Sequence, residues 1–222
     1  PLGTQTSGWF RLPPGSQAEV VEMGDLTVER RMLHLFADIL GYPSVDLLER
    51  AGECEALAST RNPDVASLVG SFRAFVETTP QGRLEEVYTA TFDLDAAYHP
   101  YLGYHLFGES YERSILLLEL KERYRAQGYV ADEKELPDRL SIILDFLSVS
   151  ADAVLNQEIV QEALLPALEK MMKRSKEADD EPTDDISPYS CMLLALQMLL
   201  PGLQPASAPE EQALYTGGRA ND

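Results

Sequence analysis

The stretch "HPYLGYHLFGESYERSILLLELKERYR", His99 to Arg125, gathers two histidines, four tyrosines and a Gly-Glu-Ser ahead of a leucine-rich run. A serine nucleophile on a strand-to-helix elbow needs glycine two residues after the serine. Here that position is Glu112, and nothing strand-like precedes Ser110. His99 and His105 are six apart, a spacing that does not stack two imidazoles on one helical face. No carboxylate or cysteine around them completes a familiar ligand set. The chain has no GxGxxG, no phosphate-loop lysine motif and no HExxH. A helix start at Pro137 could face a phosphate, but helix starts are too common to count as a nucleotide site.

Recognition suits the remaining residue types better. Tyrosine and histidine join an apolar body to a polar tip, so a loop bearing Tyr98, His99, Tyr101, Tyr104 and His105 can line a groove without making an insoluble patch. The same rings could instead cap a core beneath the loop, and residue type alone leaves both readings open.

These residues must be positioned by a chain of 222 residues that is 45% hydrophobic, enough for one domain with a sizeable core. With 37 acidic and 18 basic residues the formal net charge is -19, which disfavours nucleic acid or anionic lipid and favours a basic partner. Cys54 and Cys191 are isolated, so neither a disulfide framework nor a metal knuckle is indicated, as suits a reducing cytoplasm. The longest apolar run, "CMLLALQMLLPGL", is too short to span a bilayer and is broken by Pro201. Arg30-Arg31 superficially resembles an export signal. Asp38 interrupts the apolar stretch, however, and Val28, Met32, Leu35, Phe36 and Ile39 fall at helical spacing.

The opening Pro-Leu-Gly reads as the remnant of protease cleavage, and residues 1–22 as a tag or flexible extension. From Met23 to about Gly202 nearly every segment carries a 3.6-residue period, which predicts an all-α, single-domain bundle of about eight or more helices. The breaks predict a first helix from about Thr27 to Gly41 and a second after "GYPS" that includes Val45 and Leu48. A third is capped by Asn62 or Asp64 with Pro63 in its first turn. "LEEVYTATFDL" is a fourth. The aromatic stretch follows as a loop, then "YERSILLLELKERYRAQG" as a helix closed by Gly128. Ser110 is expected to cap that helix, Gly108 to give its sharp entry, and Arg113 to reach back to Glu109.

The next helix should begin at "ELPDRL", with Pro137 in its first turn and Asp138 favoured by the helix dipole. Leu140, Ile143, Leu144, Phe146 and Leu147 mark it as central. One more runs from about Asn156 to Ser175. An acidic loop over 176–187 is expected to be mobile, a last helix starts at "SPYSCMLLALQMLL", and 203–222 reads as a flexible tail.

Three blocks in this order resemble a known family: "YTATFDLD", "HLFGESYERS" and "ELPDRLSIILDFL". The chain resembles the redox-enzyme maturation chaperones of the nitrate reductase delta-subunit (NarJ) type, related to the TorD and DmsD chaperones, over roughly Thr27 to Leu200. The resemblance implies a TorD-like all-helical domain that is not an enzyme and carries no cofactor or metal of its own. It implies a cytoplasmic chaperone whose partner is the apo catalytic subunit of a molybdopterin enzyme, bound through its basic N-terminal leader or signal remnant. That subunit would be held ready for insertion of the molybdenum cofactor, with cofactor-biosynthesis proteins as further partners. Nitrate reductase is the first guess for the enzyme served.

By the same resemblance the peptide-binding residues are Tyr88, Tyr101, Tyr104, His105, Glu109, Pro137, Asp138 and Arg139. Arg139 departs from the family pattern, in which His or Tyr usually follows Leu-Pro-Asp, and it could instead pair with Asp138 or Glu135. The competing reading is a generic helical adaptor with no part in cofactor insertion. Neither reading calls for nucleic acid or membrane insertion.

Overall fold

The computed structural model describes residues 25–94, 98–178 and 187–203. The expected N-terminal extension, most of the acidic loop and the tail beyond residue 203 lie outside the described residues. Ten helices are described: α1 (Asp25–Ile39), α2 (Leu47–Ser59), α3 (Pro63–Thr78), α4 (Gln81–Thr89), α5 (Leu102–Phe107), α6 (Tyr111–Ala126), α7 (Leu140–Val149), α8 (Ala153–Glu158), α9 (Leu165–Ala178) and α10 (Pro188–Leu199). A widened π-type turn, Ala90–Leu94, extends α4, and a second, Ile159–Leu164, joins α8 to α9. Among the described residues extended pairing is limited to one antiparallel bridge, Tyr101 with Arg139. The all-helical expectation therefore holds.

Local signals account for most boundaries. Asn62 Oδ1 accepts the Asp64 and Val65 amides at 3.0 and 3.3 Å, and Pro63 opens α3 where its missing N–H is harmless. Gly128 adopts φ 70° just past α6. The Tyr129 amide then reaches the Tyr124 carbonyl at 2.8 Å and the Gly128 amide reaches Arg125 at 3.1 Å, the paired bonds that close a helix through a left-handed residue. α8 starts at Ala153, earlier than the expected Asn156, because Asp152 caps it through the Leu155 amide at 3.0 Å. Val45 stands exposed ahead of α2.

The core sits where the apolar stripes predict it. Met32, Leu35, Phe36 and Ile39 of α1 are buried, so Arg30-Arg31 belongs to an ordinary core helix. Arg30 donates to the Ser150 carbonyl and Arg31 pairs with Glu53. α1 packs on α2 and α7, and α3 on α2 and α10. α7 is central as expected, with Leu140, Ile143, Leu144, Phe146 and Leu147 all buried, each side chain contributing about 1.5–3 kcal/mol of transfer free energy. Tyr88, Phe92, Phe72 and Tyr189 form an aromatic knot with neighbouring centroids 4.9 to 5.5 Å apart, tying α3, α4 and α10 together.

α6 corrects the sequence reading of its faces. Arg123 is buried against Glu158 at 3.2 Å, and Arg113, expected to reach back to Glu109, turns inward. Tyr111, Ile115 and Leu118 face outward instead. No helix among the described residues is long and apolar enough to cross a membrane.

Candidate functional site

The stretch expected as a loop and the Leu-Pro-Asp segment are held together by backbone pairing. The Leu140 amide donates to the Pro100 carbonyl at 2.7 Å, and the Leu102 amide donates to the Asp138 carbonyl at 2.8 Å. This pairing keeps Pro137, Asp138 and Arg139 out of α7, which begins only at Leu140, so Pro137 is not in a helical first turn. It also satisfies the first amide of a helix that sequence reading missed. α5, Leu102–Phe107, forms because Asp138 supplies both its backbone carbonyl and a carboxylate oxygen to that helix's start. Gly108 (φ 64°, ψ -151°) ends α5 in a conformation that suits glycine, the sharp turn expected before α6.

Asp138 is fully buried, at 0% exposure. Its Oδ2 accepts from the Gly103 amide at 3.1 Å and from Arg113 Nε at 3.3 Å. Burial pushes its carboxyl above the ordinary range, while Arg113 and the amides oppose that rise. Two expectations are corrected here. The carboxylate serves α5 and not the dipole of α7, and its cation is Arg113 of this chain. Arg113 is accordingly not turned back to Glu109, which stands exposed. Ser110 occupies the cap position of α6 without a side-chain bond to the helix amides; the nearness of its hydroxyl helps hold the Glu112 carboxyl below its usual range.

A second chain of contacts runs beside the first. Tyr101 donates through its hydroxyl to Glu135 Oε2 at 3.2 Å, Glu135 Oε1 pairs with Arg139 Nη1, and Arg139 Nη2 donates to the Tyr88 hydroxyl at 2.8 Å. Arg139 thus pairs with Glu135 and not Asp138. Burial works against its charge, but Tyr88 and Glu135 outweigh it, and the guanidinium is held well above its ordinary value. Tyr88, expected at a peptide surface, is wholly buried in the aromatic knot because its stripe on α4 points inward. Only its hydroxyl is turned toward Arg139.

The aromatic residues ahead of α6 divide between core and surface. Tyr98 is buried, and so is His105, whose Nε2 lies 2.7 Å from the His99 carbonyl. Half-buried Tyr104 stacks on His99 with centroids 4.5 Å apart, and His99 leans on Tyr101 at 5.1 Å. Tyr101 also carries the Arg113 guanidinium 5.9 Å from its ring centre. Both readings left open by residue type therefore apply, to different residues: His105 closes the core, while Tyr101 and Tyr104 keep an outer face.

Sequence reading missed part of the rim. Tyr42, 57% exposed, packs edge-on over Tyr88 at 5.5 Å. Its surroundings first, and then Glu85 and Asp93, hold its hydroxyl above the ordinary range. Asp93 and Glu135 act the same way on Tyr88, whose own burial is the larger cause. Glu85 and Asp93 thus lie near Tyr42, Asp93 also acts on Tyr88, and Glu135 pairs with Arg139 beside them. Asp93 belonged to a quoted block, but no local pattern points to Tyr42 or Glu85. Among the described residues no cluster of three or more His, Cys, Asp or Glu is arranged to hold a metal ion.

A family profile described as nitrate reductase delta subunit matches residues 60–178. The chain belongs to the nitrate reductase delta subunit family. All three quoted blocks lie inside the matched span. A Bacillus subtilis (strain 168) protein named "Probable nitrate reductase molybdenum cofactor assembly chaperone NarJ" is 36% identical over 83 residues, covering 37% of this chain and 45% of its own. The Escherichia coli (strain K12) protein named nitrate reductase molybdenum cofactor assembly chaperone NarJ is 29% identical over 119 residues, covering 52% of this chain and 50% of its own. The chain thus spans about half the length of the curated relatives it matches. An Archaeoglobus fulgidus protein whose crystal structure is described as that of "A Putative Redox Enzyme Maturation Protein" shares the fold with TM-score 0.51 and 23% identity over 84% of this chain and 98% of that one.

Proposed function

We propose that this delta subunit family member is a dedicated cytoplasmic maturation chaperone and not an enzyme. It holds the apo catalytic subunit of a molybdenum enzyme, nitrate reductase first among candidates, by a basic N-terminal segment while the cofactor is inserted. The names of the curated relatives support the chaperone role. The observation that carries the peptide site is the rim itself, where Glu85, Asp93 and Glu135 lie among the ring faces of Tyr42 and Tyr101. Such a surface takes an amphipathic basic segment, with rings against its apolar face and carboxylates against its cations. The net charge of -19 steers a basic segment toward the molecule.

Co-purification tests this reading. The chain should capture the catalytic subunit before cofactor loading and release it afterwards, with cofactor-biosynthesis proteins joining the assembly. Capture that ignores cofactor loading favours a generic adaptor and defeats the chaperone reading.

A further inference from the structure

We propose that Glu135 selects a cationic side chain at this site, and that Arg139 is a resident cation which the partner's arginine displaces from it. The inference rests on the peptide-binding reading above and assigns a role to a residue pair within it.

The two members of the pair are anchored very differently. Arg139 has 13% of its side chain exposed, immediately precedes α7, and keeps a second bond to the fully buried Tyr88 hydroxyl. Glu135 has 32% exposed and sits on a turn, its amide bonded to the Asp132 carbonyl at 3.2 Å. Glu135 keeps the Tyr101 hydroxyl on Oε2, and Oε1, on the more exposed side chain of the pair, is the atom that can exchange cations. If it leaves Arg139, the guanidinium keeps the Tyr88 hydroxyl as an acceptor.

An incoming arginine matches what Arg139 now supplies: a guanidinium N–H for a carboxylate oxygen beside a tyrosine ring. Tyr101 already bears one guanidinium, that of Arg113. The resident contact lowers affinity for the partner by the fraction of molecules in which Glu135 is occupied. For a partly exposed pair, its removal should raise affinity about twofold to fivefold.

The test uses the full chain and two synthetic peptides, one with two arginines ahead of an apolar helical segment and one with citrulline at both positions. Calorimetry should show wild type preferring the arginine peptide, Glu135→Gln losing most of that preference, and Arg139→Gln binding the arginine peptide about twofold to fivefold more tightly. Arg139→Met, which keeps the buried stem, gives the same reading if the glutamine variant melts early. Equal or weaker binding by both Arg139 variants, or a preference for arginine undiminished by Glu135→Gln, overturns the inference while leaving peptide binding standing. Failure of wild type to bind either peptide overturns the peptide reading, and this inference with it.

Discussion

A methyl group at Gly103 would come within 2.7 Å of the Asp138 carboxylate, 3.0 Å of Arg113 Cγ and 3.1 Å of Leu116 Cδ2. The carboxylate cannot withdraw easily, because it is buried and already bonded to the Gly103 amide and to Arg113. Gly103→Ala should therefore lose about 1–3 kcal/mol in denaturant unfolding, as overpacked sites do. A neutral or stabilised variant would mean that α5 can move off the Leu-Pro-Asp segment.

Removing the carboxylate should cost more. Asp138→Ala strands Arg113, 16% exposed, and leaves the start of α5 without its side-chain acceptor, so a loss of about 3–5 kcal/mol is expected. Burial makes Asp138 a residue whose loss should show in melting, whatever its part in the peptide-binding role that the resemblance implies.

The pH dependence of the same residue has a definite sign. Its folded carboxyl titrates above the ordinary value of 3.8, mainly through burial, so its contribution to stability is full below that value and declines as pH rises through the folded value. Asp138→Asn should accordingly narrow its deficit relative to wild type as pH rises from about 4 toward neutrality. A deficit that widens over that interval would show that the Arg113 attraction outweighs burial.

Two glycines should respond in opposite directions to alanine. Gly128 needs φ 70° to close α6, so Gly128→Ala should cost about 1–2 kcal/mol. Gly82 lies within α4 with nothing near its missing methyl, so Gly82→Ala should stabilise by about 0.5–1 kcal/mol. Thermal melts of the two variants check both signs.

Binding of the catalytic subunit's N-terminal segment should weaken in Tyr42→Ala and Tyr104→Ala with little loss of melting temperature, since both rings keep exposed or half-exposed faces. Affinity should also fall as salt rises, as screening weakens the attraction of an acidic chain for a basic segment. Calorimetry showing neither effect would move the peptide site away from this rim.

The amino-acid sequence by itself determined what depends on neighbours within a turn or two. The apolar period of α7 predicts a buried central helix, Asn62 and Pro63 start α3, and Gly128 ends α6, because capping bonds and stripes join residues only a few positions apart. Tertiary structure alone decided the site. Asp138 meets Gly103 across 35 positions, and Arg139 meets Tyr88 across 51. A segment that reads locally as a helix start gives up that turn to pair with Pro100 and Leu102. A stretch that reads as a loop becomes α5 once the distant Asp138 accepts its first amides, Leu102 on the backbone carbonyl and Gly103 on the carboxylate. Burial then settled which polar groups could still meet a partner, turning Tyr88, His105 and Asp138 inward and leaving Tyr42, Glu135 and Tyr101 at the rim. Desolvation depends on everything packed around a group, and a one-dimensional pattern carries little of that information.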